Sequence, residues 1–188
     1  MTAQKCSSIG CSNEPDVRVV RIHNRAVVSE LELCFQHAAE VMPSLDNPQK
    51  AFPSDPSKEV LVDIEYILLC PKNEHFGLYL REMDGIRRFA SNTGWCEWWT
   101  IYKLLKKEPV ARPMTHAAVA NIICSLGAQL ESVVVDNWDQ NQNFHAKLRL
   151  RQGPKRSAID VRPSDGFALA IVSSVPIFVQ ESFLLDAS

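Results

Sequence analysis

Apolar residues recur at strand-like or helix-like spacing along most of the chain beyond residue 58. Alternating or continuous apolar runs bounded by turn residues predict strands, and the pair Asp84-Gly85 is typical of a hairpin turn. Residues 115–126 carry an apolar stripe at helical spacing, which predicts a helix capped by Thr115. The predicted strands are residues 60–70, 76–83, 86–90, 130–138, 144–151, 158–161 and 176–179, and the predicted helices are residues 96–107, 115–126 and 164–174.

The order of these elements repeats. Three strands and a helix that opens near Glu97 come first, and three strands and a helix that opens near Asp165 follow. The helix at residues 115–126 connects the two halves. Because Glu97 and Asp165 then hold equivalent first-turn positions, we predict an α+β fold for residues 59–188, with a mixed sheet built from two β-β-β-α units.

The first 41 residues are predicted to form a small zinc-binding β module, which a proline-rich linker at residues 42–58 follows. Strands at residues 17–22 and 26–33 predict a hairpin that turns at Asn24-Arg25. Zinc favours thiolate and imidazole ligands in closed structural sites, whereas the alternative is a set of reduced thiols in a solvated tail. The four candidate ligands are Cys6, Cys11, Cys34 and His37.

Composition limits the class of protein. The chain has 188 residues, is 46% hydrophobic and carries a formal charge of -2, which is typical of one soluble globular domain with a small appendage. No apolar run reaches the roughly 20 residues that span a bilayer, and the start of the chain lacks the apolar core of a signal peptide. We therefore expect a cytoplasmic protein without membrane contact.

Six cysteines without an export signal argue against a disulfide framework, and Cys70, Cys96 and Cys124 are expected to be core residues.

Two segments carry candidate binding chemistry, because each places an Arg-Pro pair and a hydroxyl residue at the start of a predicted helix. They are residues 112–116, with the sequence Arg-Pro-Met-Thr-His, and residues 160–165, with the sequence Asp-Val-Arg-Pro-Ser-Asp. The first backbone N–H groups of a helix lack partners and the helix dipole is positive at that end, so such starts bind anions. Both segments therefore predict contact with phosphate.

The main domain resembles the bifunctional nuclease family over about residues 60–185. The resemblance rests on the two Arg-Pro segments and on a closing Val-Pro-Ile-Phe-Val at residues 175–179. It implies hydrolysis of phosphodiester bonds in DNA or RNA. The chain departs from the family pattern at Ala117, where the family usually has aspartate, and around Glu97, where tryptophans replace small neighbours. Residues 33–38, with the sequence Leu-Cys-Phe-Gln-His-Ala, resemble an element of zinc-ribbon and treble-clef modules.

A nuclease must hold a phosphodiester, activate a water molecule and stabilise the leaving oxygen. Arginines could hold the phosphate, a histidine could act as general acid or base, and carboxylates could bind a hard divalent ion such as Mg²⁺. The candidate catalytic residues are Glu97, Arg112, His116, Asp160, Arg162 and Asp165. The candidate substrate-binding residues are Thr115, Ser164 and the alternating basic residues Lys147, Arg149 and Arg151.

The same residues also suit purely structural roles. Ser164 and Asp165 could cap a helix, Arg162 could lock the strand–helix corner, and the basic strand could be solvated or guard a sheet edge. The alternative function is a non-catalytic binding or scaffold protein whose zinc module docks a protein or nucleic acid, and a third function is binding of a small phosphorylated metabolite. Aromatic residues at helical spacing in residues 95–102 predict core packing or a subunit interface, and we expect a homo-oligomer.

Overall fold

A computed structural model describes residues 5–41, 58–140 and 143–185, so the predicted linker lies outside the described residues except for Lys58. The strands are β1 (Val17–His23), β2 (Ala26–Leu33), β3 (Glu59–Cys70), β4 (His75–Glu82), β5 (Arg88–Asn92), β6 (Gln129–Trp138), β7 (Phe144–Gln152), β8 (Lys155–Val161) and β9 (Ile177–Gln180). The helices are α1 (Phe35–Val41), α2 (Trp95–Lys106), α3 (Thr115–Ser125) and α4 (Pro163–Ser173). This order confirms the predicted α+β fold with two β-β-β-α units and a connecting helix.

The nine strands of the described residues belong to one mixed sheet. The first unit is the antiparallel meander β3-β4-β5, and the second is the antiparallel meander β6-β7-β8. Between them lies β9, which is antiparallel to β3 and parallel to β6. The last strand of each meander leads into a helix, and these two helices, α2 and α4, pack against each other. The two strand–helix corners are therefore close in space.

Both units contribute to one hydrophobic core. Its largest buried side chains include Trp98 of α2, Phe89 of β5 and Phe167 of α4. The rings of Phe89 and Phe167 meet edge-on, with centroids 6.5 Å apart. Gly166 allows α4 to approach β6 closely, because a Cβ atom at this position would lie 2.8 Å from Val133 Cγ1. The start of α4 is thus held firmly against the sheet.

The N-terminal hairpin is continuous with the main sheet, because β1 pairs antiparallel with β3. Asn24 and Arg25 form its turn with φ angles of 48° and 53°, which is typical of a type I′ hairpin turn. Arg25 donates from Nε to Asp63 Oδ1 at 3.0 Å and from Nη1 to the carbonyl oxygen of Ala170 at 2.9 Å. The hairpin is therefore fastened both to the sheet and to α4.

The structure corrects two predictions about individual side chains. The N-cap residue of α3 is Met114, not Thr115, because the backbone is extended at Met114 and helical from Thr115 onward. Cys70 is buried as predicted, but Cys96 and Cys124 are exposed, since they lie on helix faces turned towards solvent. Within the described ranges, no helix combines the length and the apolar character needed to cross a membrane.

Candidate functional site

The starts of α2 and α4 meet at one guanidinium group. Arg162 is the N-cap residue of α4, and Pro163 follows at the first helical position, where its fixed φ suits a helix start. The Nε of Arg162 donates to Asp165 Oδ2 at 2.8 Å. Its Nη2 donates to Glu97 Oε1 at 2.7 Å and to Asp165 Oδ1 at 3.2 Å. The two acids at equivalent helix positions are thus joined across the two units.

His116 extends this group from the start of α3. Its Nε2 lies 3.0 Å from Asp165 Oδ1, and because an ionised carboxylate only accepts hydrogen bonds, Nε2 is assigned as the donor. Its Nδ1 is buried and has no hydrogen-bond partner in the part of the chain that the structure describes. We call this set the charge cluster, and its members are Glu97, His116, Arg162 and Asp165.

The charge cluster favours the ionised form of Asp165. Burial by itself raises the pKa of this carboxyl, but hydrogen bonds from Arg162 and His116 outweigh burial and hold the pKa below its usual value. In return, Asp165 and Glu97 raise the pKa of the Arg162 guanidinium. The Asp165 carboxylate accepts hydrogen bonds from Arg162 and His116. Helix α4 has no side-chain cap hydrogen bond at its N-cap residue.

Asp165→Asn is expected to lose less unfolding free energy in acid than the wild type loses. Because the pKa of Asp165 is lower in the folded than in the unfolded chain, the carboxylate stabilises the fold fully above about pH 4, the usual value for an unfolded aspartate. That contribution disappears as pH falls through the folded pKa. Urea unfolding from about pH 7 down to about pH 2 should therefore show a larger fall in stability for the wild type than for Asp165→Asn.

The matched control for this prediction is Asp160→Asn, because the Asp160 side chain is 70% exposed. Because exposed charges contribute little to stability, this substitution should change the free energy of unfolding at neutral pH by less than about 1 kcal/mol. Equal slopes for the wild type and Asp165→Asn would contradict the assignment of Asp165 as a stabilising carboxylate.

A cleft of about 630 Å³ opens beside the charge cluster, between the end of β5 and the end of β8. The starts of α2 and α4 also border it, and its polar lining includes Asn92, Thr93, Asp160, Arg162 and Ser164. Ser164 is only 6% exposed and lines the cleft at the start of α4. Thr93 Oγ1 is also buried without a partner in the described ranges. Two helix starts, Arg162 and the unpartnered Thr93 hydroxyl thus form a wall of the cavity that suits an anion, and Asp139 and Asp160 contribute negative charge to the lining.

The candidate catalytic residue Arg112 and the remaining candidate substrate-binding residues lie outside this cleft. Arg112 and Thr115 are exposed at the start of α3 and do not line it. The three basic residues of β7 also do not line it, and each faces an acidic side chain, so their charge is largely balanced within the chain. The pairs are Lys147 with Asp136, Arg149 with Glu59, and Arg151 with Glu131.

One chemically capable residue of the cleft was missed by sequence reasoning. His145 at the start of β7 lines the cleft, with Nδ1 3.4 Å from Asp160 Oδ1 and Nε2 3.8 Å from Asp139 Oδ2. The sequence pattern around positions 139–143 predicts only a hairpin turn. The available signal was the alternation of β7, which places His145 and Lys147 on one sheet face, with Asp160 opposite Lys147 in the neighbouring strand.

The N-terminal cluster has the geometry of a metal centre. The ligand atoms of Cys6, Cys11, Cys34 and His37 all lie within 4.8 Å of one another. His37 Nδ1 is 3.5 Å from Cys6 Sγ and 3.2 Å from Cys34 Sγ, and the sulfurs of Cys11 and Cys34 are 3.9 Å apart. Tetrahedral zinc with Zn–S near 2.3 Å and Zn–N near 2.0 Å requires ligand separations of roughly 3.5–3.8 Å. The four side chains therefore fit zinc, and His37 would bind through Nδ1.

The surroundings of Cys34 favour the thiolate that metal ligation requires. A hydrogen bond from the His37 backbone N–H, helped by the Asn13 side chain, outweighs burial and lowers the pKa of Cys34 to about 6. The backbone N–H of Cys34 in turn donates to Cys6 Sγ at 3.2 Å. These backbone donors are the second layer of contacts that structural thiolate sites commonly have.

Comparison with known sequences assigns the second part of the chain to a family. A sequence model of the bifunctional nuclease domain matches residues 78–188. Two uncharacterized proteins from strains of Mycobacterium tuberculosis, Rv1829 and MT1877, are each 36% identical to this chain over 117 residues. The matched region covers 62% of this chain and 68% of each relative. The family match contains both the charge cluster and the cleft, and the metal centre precedes it.

Proposed function

Because the chain belongs to the bifunctional nuclease domain family, we propose that it hydrolyses phosphodiester bonds of DNA or RNA in the cleft between the starts of α2 and α4. The observation that carries this proposal is the position of Arg162, which lines the cleft while Glu97 and Asp165 hold its guanidinium. The Arg162 side chain is 66% exposed, so an incoming phosphate can reach it. Because Nε and Nη2 donate to the two carboxylates, Nη1 is the guanidinium nitrogen that donates to a phosphate oxygen.

Each group then has a separate task. Arg162 and the Ser164 hydroxyl bind the phosphate, together with the unpaired backbone N–H groups of the first turn of α4. Asp160 lies at the cleft with an exposed carboxylate and accepts a proton from the attacking water. His116 does not line the cleft; it orients Asp165, which orients Arg162.

Metal-assisted hydrolysis is the second form of this proposal. Mg²⁺ would take oxygen ligands from Glu97, Asp160 and Asp165, and Arg162 would have to release two of these carboxylates first. The acid–base form needs no such rearrangement, so we favour it. The N-terminal centre has a different role, because zinc with four protein ligands has no open position for water and is structural.

A non-catalytic scaffold is the alternative function, and one observation favours it. Both acids of the charge cluster are already paired with Arg162, and Asp165 is also paired with His116. In this alternative the pairs only lock the two helix starts together, and the zinc module docks a protein or nucleic acid.

The deciding experiment incubates the purified protein with labelled single-stranded and duplex DNA and RNA, in Mg²⁺ or in EDTA. Asp165→Asn and His116→Ala are tested in parallel, with folding checked by circular dichroism. We expect cleavage by the wild type and a loss of roughly 10- to 100-fold in both variants, because each removes a support of Arg162. Cleavage that survives EDTA treatment supports the acid–base form.

Three other outcomes separate the remaining possibilities. Activity that EDTA abolishes and Mg²⁺ restores would select metal-assisted hydrolysis. Activity unchanged in both folded variants would place the reaction outside the charge cluster. If the folded, zinc-loaded protein cleaves none of the substrates, the nuclease proposal is wrong and the scaffold function is the remaining alternative.

A further inference from the structure

We infer that His145 is the proton-donating residue of this cleft, the general acid that protonates the leaving oxygen of the substrate. The inference rests on the proposed function and adds a residue to it, since the sequence motifs point to His116 as the histidine of the site. The two histidines differ in what they face. His145 lines the cleft with Asp160, Arg162 and Ser164, whereas His116 does not line it.

The accessibility of the two rings supports this assignment. The His145 side chain is 38% exposed and the His116 side chain only 14% exposed. The His116 Nε2 is occupied by Asp165 at 3.0 Å, and its Nδ1 is buried. A proton on either nitrogen of His116 therefore has no direct route to a substrate in the cleft.

The contacts of His145 orient one nitrogen and leave the other available. Its Nδ1 lies 3.4 Å from Asp160 Oδ1, a long hydrogen bond that sets the direction of the ring. Its Nε2 lies 3.8 Å from Asp139 Oδ2, which is beyond hydrogen-bond distance. A substrate oxygen can therefore be the hydrogen-bond partner of Nε2.

The carboxylate of Asp139 is itself fixed in position. Asn143 donates to Asp139 Oδ1 from its backbone at 2.9 Å and to Oδ2 from its side chain at 3.1 Å. His145 thus lies between two carboxylates that come from different elements, Asp160 from β8 and Asp139 from the loop after β6. One carboxylate thus lies near each nitrogen of the ring.

The charges around His145 are of both signs. Besides the two carboxylates, the cationic Arg162 lines the same cleft. Lys147, two residues along β7, is paired with Asp136 and so is partly neutralised. A phosphodiester bound by Arg162 and Ser164 would add a negative charge to the same cleft.

The proposed step balances without any further reagent. Water attacks phosphorus, and the bond between phosphorus and the leaving oxygen breaks with its electron pair staying on that oxygen. The imidazolium of His145 gives its Nε2 proton to the leaving oxygen, while Asp160 takes one proton from the attacking water. The products are a phosphomonoester and an alcohol, and the two residues then exchange protons with solvent to return to their starting states.

The experiment compares His145→Gln with the wild type on two substrates, a labelled oligonucleotide and a nucleotide p-nitrophenyl phosphodiester. The p-nitrophenolate group leaves without needing a proton, so only the oligonucleotide depends on a general acid. We expect His145→Gln to slow oligonucleotide cleavage by about 100-fold or more and cleavage of the p-nitrophenyl ester by less than about 10-fold. His23→Gln is the matched control, because His23 is exposed and does not line the cleft.

The outcomes distinguish this inference from the proposed function. An active wild type with an equally active His145→Gln would overturn the assignment of His145 and leave the proposed function intact. Equal losses on both substrates would show that His145 positions the phosphate, which also overturns the general-acid role. A folded wild type that cleaves neither substrate would overturn the proposed function and this inference with it.

Discussion

Replacement of Arg162 by glutamine is expected to slow phosphodiester cleavage by about 100- to 1,000-fold, the usual cost of removing one donor that binds the charge of a transition state. Arg162 joins the two units through Glu97 and Asp165 and also lines the cleft. Glutamine keeps a hydrogen-bond donor but loses the positive charge and the bidentate geometry. Single-turnover cleavage of a labelled oligonucleotide measures the effect.

Arg162→Gln should fold but lose some stability. The Arg162 side chain is itself 66% exposed, but its partners Glu97 and Asp165 are only 17% and 26% exposed and lose their counter-charge. The matched control is Arg149→Gln, because Arg149 is also paired with a carboxylate, Glu59, but does not line the cleft. A slow but folded Arg162→Gln beside a fully active Arg149→Gln is the expected pattern. Equal activity of the two folded variants would show that the charge cluster has only a structural role.

Substitution of Cys34 by serine is expected to abolish stoichiometric zinc binding and to lower the melting temperature by roughly 10 °C. The melting temperature of a chain of this size falls by about 2–4 °C for each kcal/mol lost from the free energy of unfolding. Cys34 is buried and its sulfur lies near the other three ligand atoms. A structural zinc site contributes directly to folding. Because β1 pairs with β3 of the main sheet, the loss should extend beyond the first 41 residues.

Two further cysteines provide controls for this experiment. Cys96 and Cys124 are exposed on α2 and α3 and lie outside the metal centre. Cys96→Ser and Cys124→Ser should bind one zinc per chain and melt like the wild type, as shown by metal analysis and scanning calorimetry. A Cys34→Ser protein with full zinc content would contradict the assigned ligand set, and one that loses zinc without any change in melting temperature would refute a structural role.

Much of the local structure follows from patterns in the sequence. The apolar stripe of α3, the alternation in the strands and the turn at Asn24-Arg25 predict elements within a few residues of those observed. Local periodicity is informative because a helix or strand must turn one face to the core. The family resemblance is also confirmed, since its motif at residues 160–165 lies within the matched domain.

Side-chain burial is harder to predict from local pattern. Cys96 and Cys124 stand among apolar neighbours, which predicts core positions, yet both are exposed. A helical residue is buried only if its face is covered by another element, and the covering element is set by packing. The predicted Thr115 cap is wrong for a related reason, because the exact residue at which the backbone becomes helical depends on how the chain enters α3.

The sequence alone determined the order of elements, the two equivalent helix starts with Glu97 and Asp165, and the four residues of the N-terminal cluster that could hold a metal ion. All of these depend on spacing along the chain. Only the tertiary structure decided which of the charged residues meet. Arg162 reaches Glu97 across 65 positions of sequence because α2 and α4 pack side by side, and His145 reaches Asp160 because β7 and β8 are neighbours. It also placed Lys147, Arg149 and Arg151 outside the lining of the cleft and paired each with an acidic side chain. Two of these acids lie on the neighbouring strand β6, and the third, Glu59, lies on β3. Such long-range pairings arise from packing and leave no periodic signal in the sequence.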